Sequence, residues 1–454
     1  MKKLLLAGLL IWLAPQVNAQ DKNSGDVLIK NATVITITNG TLENTDVMVR
    51  KGIITEIGTD LKAPKNTHTV DASDKFLMPG IIDAHSHLAL EVINESSSPI
   101  TAEVKMGDVI DPFDISIYRA LAGGVTISHA MHGSANVIGG QNVTLKHRYG
   151  TRDPKKLIME EAPRTIKFAL GENPTRVHGR GKNLQPRSRM GVEAVIRNGF
   201  EEALQYKAVW EKWNKEKQNK EVNSPPPTYN SRLQTLVDIL DGKIIIHCHS
   251  YRADEIYMLI QVCRSFGIDK IVFTHANEGF KVAPELAKYT MGASVFADWW
   301  AYKFEVYYST AYNAAILTKN GVVTSINSDS DELIRHLYHE AAKTQRYGGL
   351  SEEEALALIT INPAKQLGID KWVGSIEVGK QADLVIFDNH PLSIYAIPQM
   401  TLVDGVRYFD RDNDQADQRL KIDPKRFPDP FRLSTGEHKC MHDVDMLFTE
   451  NYQN

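Results

Sequence analysis

A chain of 454 residues with 42% hydrophobic and 24% charged residues has the make-up of an ordinary globular protein, and one α/β barrel can occupy most of that length. The formal net charge of −4 gives no basis for a nucleic-acid partner. Cys248, Cys263 and Cys440 are too few, and odd in number, for a disulfide scaffold, and no Cys-x-x-Cys pair exists, so any metal falls to histidines and carboxylates.

Lys2 and Lys3 precede the apolar run Leu4 to Ala14, and Val17-Asn18-Ala19 supplies small residues before Gln20. That order is the pattern of a secretory signal peptide cut after Ala19. The apolar run is too short for a comfortable membrane span, and no later segment is long enough. The expectation is an exported protein, periplasmic or secreted, without membrane attachment in its mature form.

Residues 27 to 78 read as β, with short β-branched runs at 27–30, 33–36, 46–50 and 53–57 separated by Asn-Gly and Lys-Gly turns. From Gly80 the pattern changes to strands alternating with helices. Strands are expected at 80–85, 124–130, 142–146, 165–170, 243–249, 270–275, 293–296 and 322–326, the eight a TIM-type (β/α)8 barrel needs. Helices are expected at 252–265, 332–346 and 351–366, the last opened by a serine cap and three glutamates. Residues 209 to 230, rich in Lys and Glu and ending in Ser224-Pro225-Pro226-Pro227, read as an exposed helix and stiff connector inserted before the fifth strand. After 370 the chain returns to β at 374–376, 382–387 and 402–408. The expected organisation is therefore a signal peptide at 1–19, a small β-sandwich domain from 20–78 plus 371–412, a barrel at 79–370, and a tail at 413–454.

Chemistry in such a barrel sits where its strands end. Met78-Pro79-Gly80-Ile81-Ile82-Asp83-Ala84-His85-Ser86-His87 ends in two histidines spaced i, i+2, which share a face of a strand and can meet at one metal. Three further apolar runs end alike: 244–246 in His247-Cys248-His249, 271–274 in His275, and 322–326 in Asn327-Ser328-Asp329. Any one of these has a structural role as readily as a ligand role; the coincidence of all of them points to a metal site.

The order His-x-His, Lys, His, His, Asp on successive strands resembles the amidohydrolase superfamily. Asn362-Pro363-Ala364 and Gly374-Ser375-Ile376-Glu377-Val378-Gly379-Lys380-Gln381-Ala382-Asp383-Leu384 add to the likeness. Within it the imidazolonepropionase-like and Xaa-Pro dipeptidase-like branch is nearest, through His249-Ser250-Tyr251 and His275 with Glu278-Gly279. Gly171-Glu172-Asn173-Pro174 departs from that branch, which has Thr/Ser-Gly-Gly there.

The resemblance implies that His85 and His87 bind one divalent ion and His249 and His275 a second. Lys167, carboxylated, would bridge them, and Asp329 would be both ligand and catalytic acid/base. His247 is the alternate for His249, and Glu172 the alternate for Lys167. The implied ions are zinc, with manganese or iron as other fits. Around them, Tyr251, Arg176 and His178 are candidate substrate contacts, with Arg180, Trp299, Trp300, Tyr302 and the loop 133–141 further out.

The implied enzyme hydrolyses a C–N bond, an amide or cyclic amide in a small, dipeptide-like substrate, by metal-bound hydroxide with Asp329 moving the proton. The partner is a small-molecule substrate, and a homo-oligomer is open. A mononuclear deaminase of the same superfamily is one rival; such enzymes tend to carry Glu three residues beyond the fifth-strand histidine, where this chain has Ser250 or Arg252. A non-catalytic exported metal-binding protein is the other, and Asp329 weighs against it.

Overall fold

Two β assemblies organise the chain in the computed structural model, which describes residues 25–65, 67–219, 225–300 and 303–413. The expected signal segment, Ser224, Tyr302, Cys440 and the tail beyond Asn413 lie outside the described residues. Among the described residues no helix is long and apolar enough to cross a membrane.

The first assembly joins both ends of the chain. Its strands are Val27–Ile35, Thr41–Arg50, Ile53–Gly58, His68–Asp71 and Phe76–Pro79, with Leu384–Phe387, Pro398–Val403 and Val406–Asp410 from the far end. The two runs expected at 27–30 and 33–36 are one strand. Asn31 takes φ 60°, which asparagine tolerates, and the register shifts there without ending the ladder. The stretch expected at 402–408 is instead a hairpin, turned by Asp404 and Gly405 at φ 52° and 71° as a two-residue Asp-Gly loop requires.

These strands hydrogen-bond as a single eight-stranded sheet rather than as the two stacked sheets of the expected sandwich. The edge strand Ile53–Gly58 meets the turn that leads into Leu384–Phe387: Ile54 donates to the Lys380 carbonyl and accepts from the Gly379 N–H, each at 2.8 Å. Val27, Ile29, Val34, Val47, Ile54, Leu77, Leu384 and Ile386 form the core the sheet encloses.

The second assembly is barrel-like. Its first and second strands, Ile81–Ser86 and Val125–Ala130, are parallel. The fourth to eighth strands are Thr165–Ala169, Ile245–Ser250, Ile271–His275, Gly292–Val295 and Thr324–Ile326, all parallel in order. The third position differs from expectation. Ile138–Gln141 pairs antiparallel with the fourth strand, and Val143–Lys146 pairs antiparallel with the second. The physical reason is that only residues 131–137 separate the second strand from this stretch, too few for a crossover helix, so the chain returns as a hairpin does.

No ladder joins the eighth strand to the first. Leu358 and Ile359 fill that seam, accepting from Ile326 and Ile82 at 3.0 and 2.9 Å. The helix expected across 351–366 is broken there into Glu352–Ala357 and Ile361–Leu367. Pro363 explains the break, since it lacks the N–H a helix interior needs but is tolerated in a first turn. The expected serine cap is present as a reciprocal pair between Ser351 and Glu354. Gly80 lets the first strand lie against the second, because a Cβ there would collide with the Thr126 side chain.

Candidate metal centre

The first strand delivers His85, wholly buried, and His87 just beyond its end. Asp83, two residues earlier, splices this strand to the eighth. Its Oδ1 accepts the backbone N–H of His85 at 3.2 Å and of Ser328 at 3.1 Å, and Oδ2 takes the Ser328 hydroxyl. Burial pushes the Asp83 carboxyl up to about 7 against those donors. Sequence reasoning passed over Asp83, although it stands inside the quoted motif.

His87 donates from Nδ1 to the Met131 carbonyl at 2.8 Å, which fixes the ring and turns Nε2 towards Asp329. That Nε2 stands 3.2 Å from Asp329 Oδ1. Asp329 follows the eighth strand at φ 48°, 3.7 Å by Oδ1 from His85 Nε2 and 3.6 Å by Oδ2 from His275 Nε2. The ligand-capable atoms of His85, His87 and Asp329 all lie within 4.8 Å of one another.

Lys167, fully buried on the fourth strand, brings Nζ to 2.9 Å from His85 Nε2. His249 and His275 have ring centroids 4.9 Å apart, and His249 Nε2 lies 3.4 Å from the Asn173 amide nitrogen. His247 meets a different neighbour: its ring stands 4.6 Å from that of His129, which is bonded to the Thr144 and Thr165 hydroxyls, and among the described residues neither nitrogen of His247 has a hydrogen-bond partner. Of the two histidines on this strand, His249 is the one beside His275.

Of the other candidates, Tyr251 packs against the cluster and the rest are engaged elsewhere. Glu172 pairs with Arg176 at 3.2 Å and Lys303 at 3.5 Å, which also engages the Arg176 guanidinium expected to clamp substrate. His178 is buried and bonded through Nε2 to Asn136 at 3.0 Å. Tyr251 stacks on His275 at 5.5 Å between centroids. Trp299 stacks on Phe296 at 4.5 Å, and Trp300 is half exposed.

The electrostatics suit a cation. Burial holds the His85 and His249 imidazoles well below their ordinary value and takes His275 down to about 3, so all three are neutral with a lone pair to give. At Asp329 burial acts upward, but His87, His275 and Lys167 outweigh it and hold the carboxylate below its usual range. An ionised carboxylate among neutral imidazoles, with both His275 nitrogens and His85 Nδ1 lacking a hydrogen-bond partner, is a donor set that fits a divalent metal.

The Amidohydrolase family model matches residues 76–408, taking in the barrel-like assembly and the later strands of the first one. The chain belongs to that family. It is similar to an amidohydrolase from Thermotoga maritima MSB8, with a TM-score of 0.78 and 33% identity over 85% of this chain and 100% of that one. It is 32% identical over 393 residues to the amidohydrolase tasK of Hapsidospora irregularis, covering 80% of this chain and 40% of the relative. This family member thus spans two-fifths of the length of that protein. A 5'-deoxyadenosine deaminase from Methanobrevibacter smithii is 22% identical over 80% of this chain and 84% of its own length. Relatives therefore include both an amidohydrolase and a deaminase.

Proposed function

We propose that this amidohydrolase cleaves an amide or cyclic amide bond in a small, dipeptide-like substrate, using two divalent ions and Asp329 as acid/base. The observation that carries the reading is the position of one partly buried carboxylate, 3.2 to 3.7 Å from ring nitrogens of His85, His87 and His275. In the proposed assignment His85, His87 and Asp329 hold one ion, His249 and His275 the other, and Lys167 joins them as a carbamate. Zinc is the proposed metal, with manganese or iron as the alternatives. Such ions, when bound, lower the pKa of a water and polarise the scissile carbonyl. Asp329 accepts the proton of the attacking water and returns it to the departing nitrogen, a transfer for which its ionised state suits it.

Deamination is the second reading, favoured by the deaminases among the relatives. Against it stand Ser250 and Arg252 where those enzymes tend to carry glutamate. An activity screen against dipeptides, N-acyl amino acids, lactams and aminopurines, paired with elemental analysis, separates the two. Two equivalents of metal and turnover of an amide are expected. One equivalent with ammonia release from an aminopurine overturns the amide reading. In the same analysis His249→Ala should lose more metal than His247→Ala, and the reverse order overturns that assignment. We further propose that the mature protein begins at Gln20 and is exported; N-terminal sequencing that finds Met1 retained overturns this.

A further inference from the structure

His275 is held differently from His87. Its backbone, and that of Ala276, turn under positive φ of 68° and 26° at the end of the sixth strand, which aims the imidazole into the cluster. Neither of its ring nitrogens has a hydrogen-bond partner among the described residues, although both are buried. A metal-ligating histidine ordinarily fixes its ring plane by donating from the nitrogen that does not bind the metal, as His87 does to Met131. Rotation about the bond to the ring would swing the His275 lone pair away from its target. Something else must stop that rotation.

Two other rings lie nearly parallel to it. Tyr251 has its centroid 5.5 Å away and its plane 18° off, and Phe296 stands at 4.7 Å and 12°. Each of these rings has a further neighbour. Trp299 lies on Phe296 at 4.5 Å and 12°, and the Lys303 ammonium stands 4.1 Å over the Tyr251 ring. Val306, wholly buried, closes the same cluster.

We propose that Tyr251 and Phe296 are positioning residues that fix the imidazole plane of His275 towards a divalent ion by stacking, in place of the hydrogen bond that serves His87. The proposal rests on the reading of His275 as a metal ligand. A parallel stack leaves the ring free to slide slightly but not to turn, because rotation about Cβ–Cγ drives its edges into the stacked rings. Phe296 and Tyr251 touch the ligand and need not touch substrate.

The test compares Phe296→Leu, which keeps apolar bulk without a ring, with Phe296→Tyr, which keeps the ring. Binding of cobalt(II) to apoprotein is followed by its visible d–d spectrum and by competition with a chelator, and the thermal midpoint of the apoprotein is measured alongside. Phe296→Leu is expected to raise the dissociation constant of one ion about 10–100-fold and alter the spectrum, the usual scale for losing a ligand's support. Phe296→Tyr is expected to restore both. Purely structural packing would lower the apoprotein's thermal midpoint and leave affinity and spectrum as in the wild type, which overturns the proposal. If Phe296→Leu does not fold, Tyr251→Leu, at the second stacked ring, decides by the same readouts. A wild type that binds only one ion, unaffected by His275→Ala, overturns the ligand reading itself, an outcome distinct from two bound ions indifferent to Phe296.

Discussion

The Asp329 backbone N–H donates to the His85 carbonyl oxygen at 3.1 Å, tying the end of the eighth strand to the end of the first. The two strands share no ladder, so this bond and the Asp83 bridge set the register between the carboxylate and the His85/His87 pair. Asp329→Asn keeps the size and the backbone bond but cannot carry a proton. Metal content should stay near native while turnover falls about 10²–10⁴-fold, the range for losing a positioned acid/base. Elemental analysis beside steady-state kinetics checks this, and a variant with metal and full activity removes the acid/base role.

Lys167 and Glu172 make opposite predictions as bridge. Lys167 Nζ lies 2.9 Å from His85 Nε2, whereas the Glu172 carboxylate is paired with Arg176 and Lys303. Lys167→Ala should therefore lose one metal equivalent, with partial rescue of activity by added short carboxylates. Glu172→Ala should retain both metals. If the metal is lost from the glutamate variant instead, the bridge assignment is reversed.

The sequence exposed the strand ends well because each apolar run stops at a polar residue, and that stop is a local property. His85, His87, His249, His275 and Asp329 are nameable that way, whereas Lys167 lies inside its strand and is named only through the family resemblance. What stayed hidden depends on contacts between distant segments. The choice between His247 and His249 cannot follow from an i, i+2 spacing that gives both the same face; it follows from which neighbouring ring each meets, His129 or His275. Glu172 reads as a free carboxylate until the fold brings the distant Lys303 against it, beside its local partner Arg176. The antiparallel third position was missed because its β-branched run looks the same in either direction. Phe296, at the end of the seventh strand, carries no sequence signal beyond being aromatic.

His147 predicts an acid-dependent loss of stability. Its Nδ1 meets the Val125 carbonyl at 3.0 Å and its Nε2 the Ser128 hydroxyl at 2.9 Å, and burial takes the ring down to about 4. The unfolded chain takes up this proton near pH 6.5, before the folded one does. The contribution is thus fully present above about pH 6.5 and is lost as pH falls through about 4. A His147→Asn variant has no such proton to gain. Its urea-derived stability deficit relative to wild type should narrow by about 2 kcal/mol between pH 7.5 and pH 5 in chelator-treated protein. A deficit that stays constant shows that His147 does not titrate this way.

Lys146 is the charge on which the two assemblies meet. Wholly buried on the third barrel position, it places Nζ 3.0 Å from Asp383 Oδ1 and against Asp404 of the terminal hairpin, while Arg148 binds the other Asp404 oxygen at 2.6 Å. Burial pushes the Asp383 carboxyl up in spite of Lys146, whereas at Asp404 the two cations outweigh burial and hold the carboxyl down. Lys146→Met leaves Asp383 buried without its cation, and breaking a buried pair from one side costs about 3–5 kcal/mol. Asp404 retains Arg148 and should contribute little to that loss. Adding Asp383→Asn to Lys146→Met removes the stranded charge and should recover most of the stability, so the two changes are strongly non-additive. Urea unfolding of the two single variants and the double variant measures the coupling. If the costs simply add, Lys146 and Asp383 act independently, and the junction is held by the apolar contacts around them.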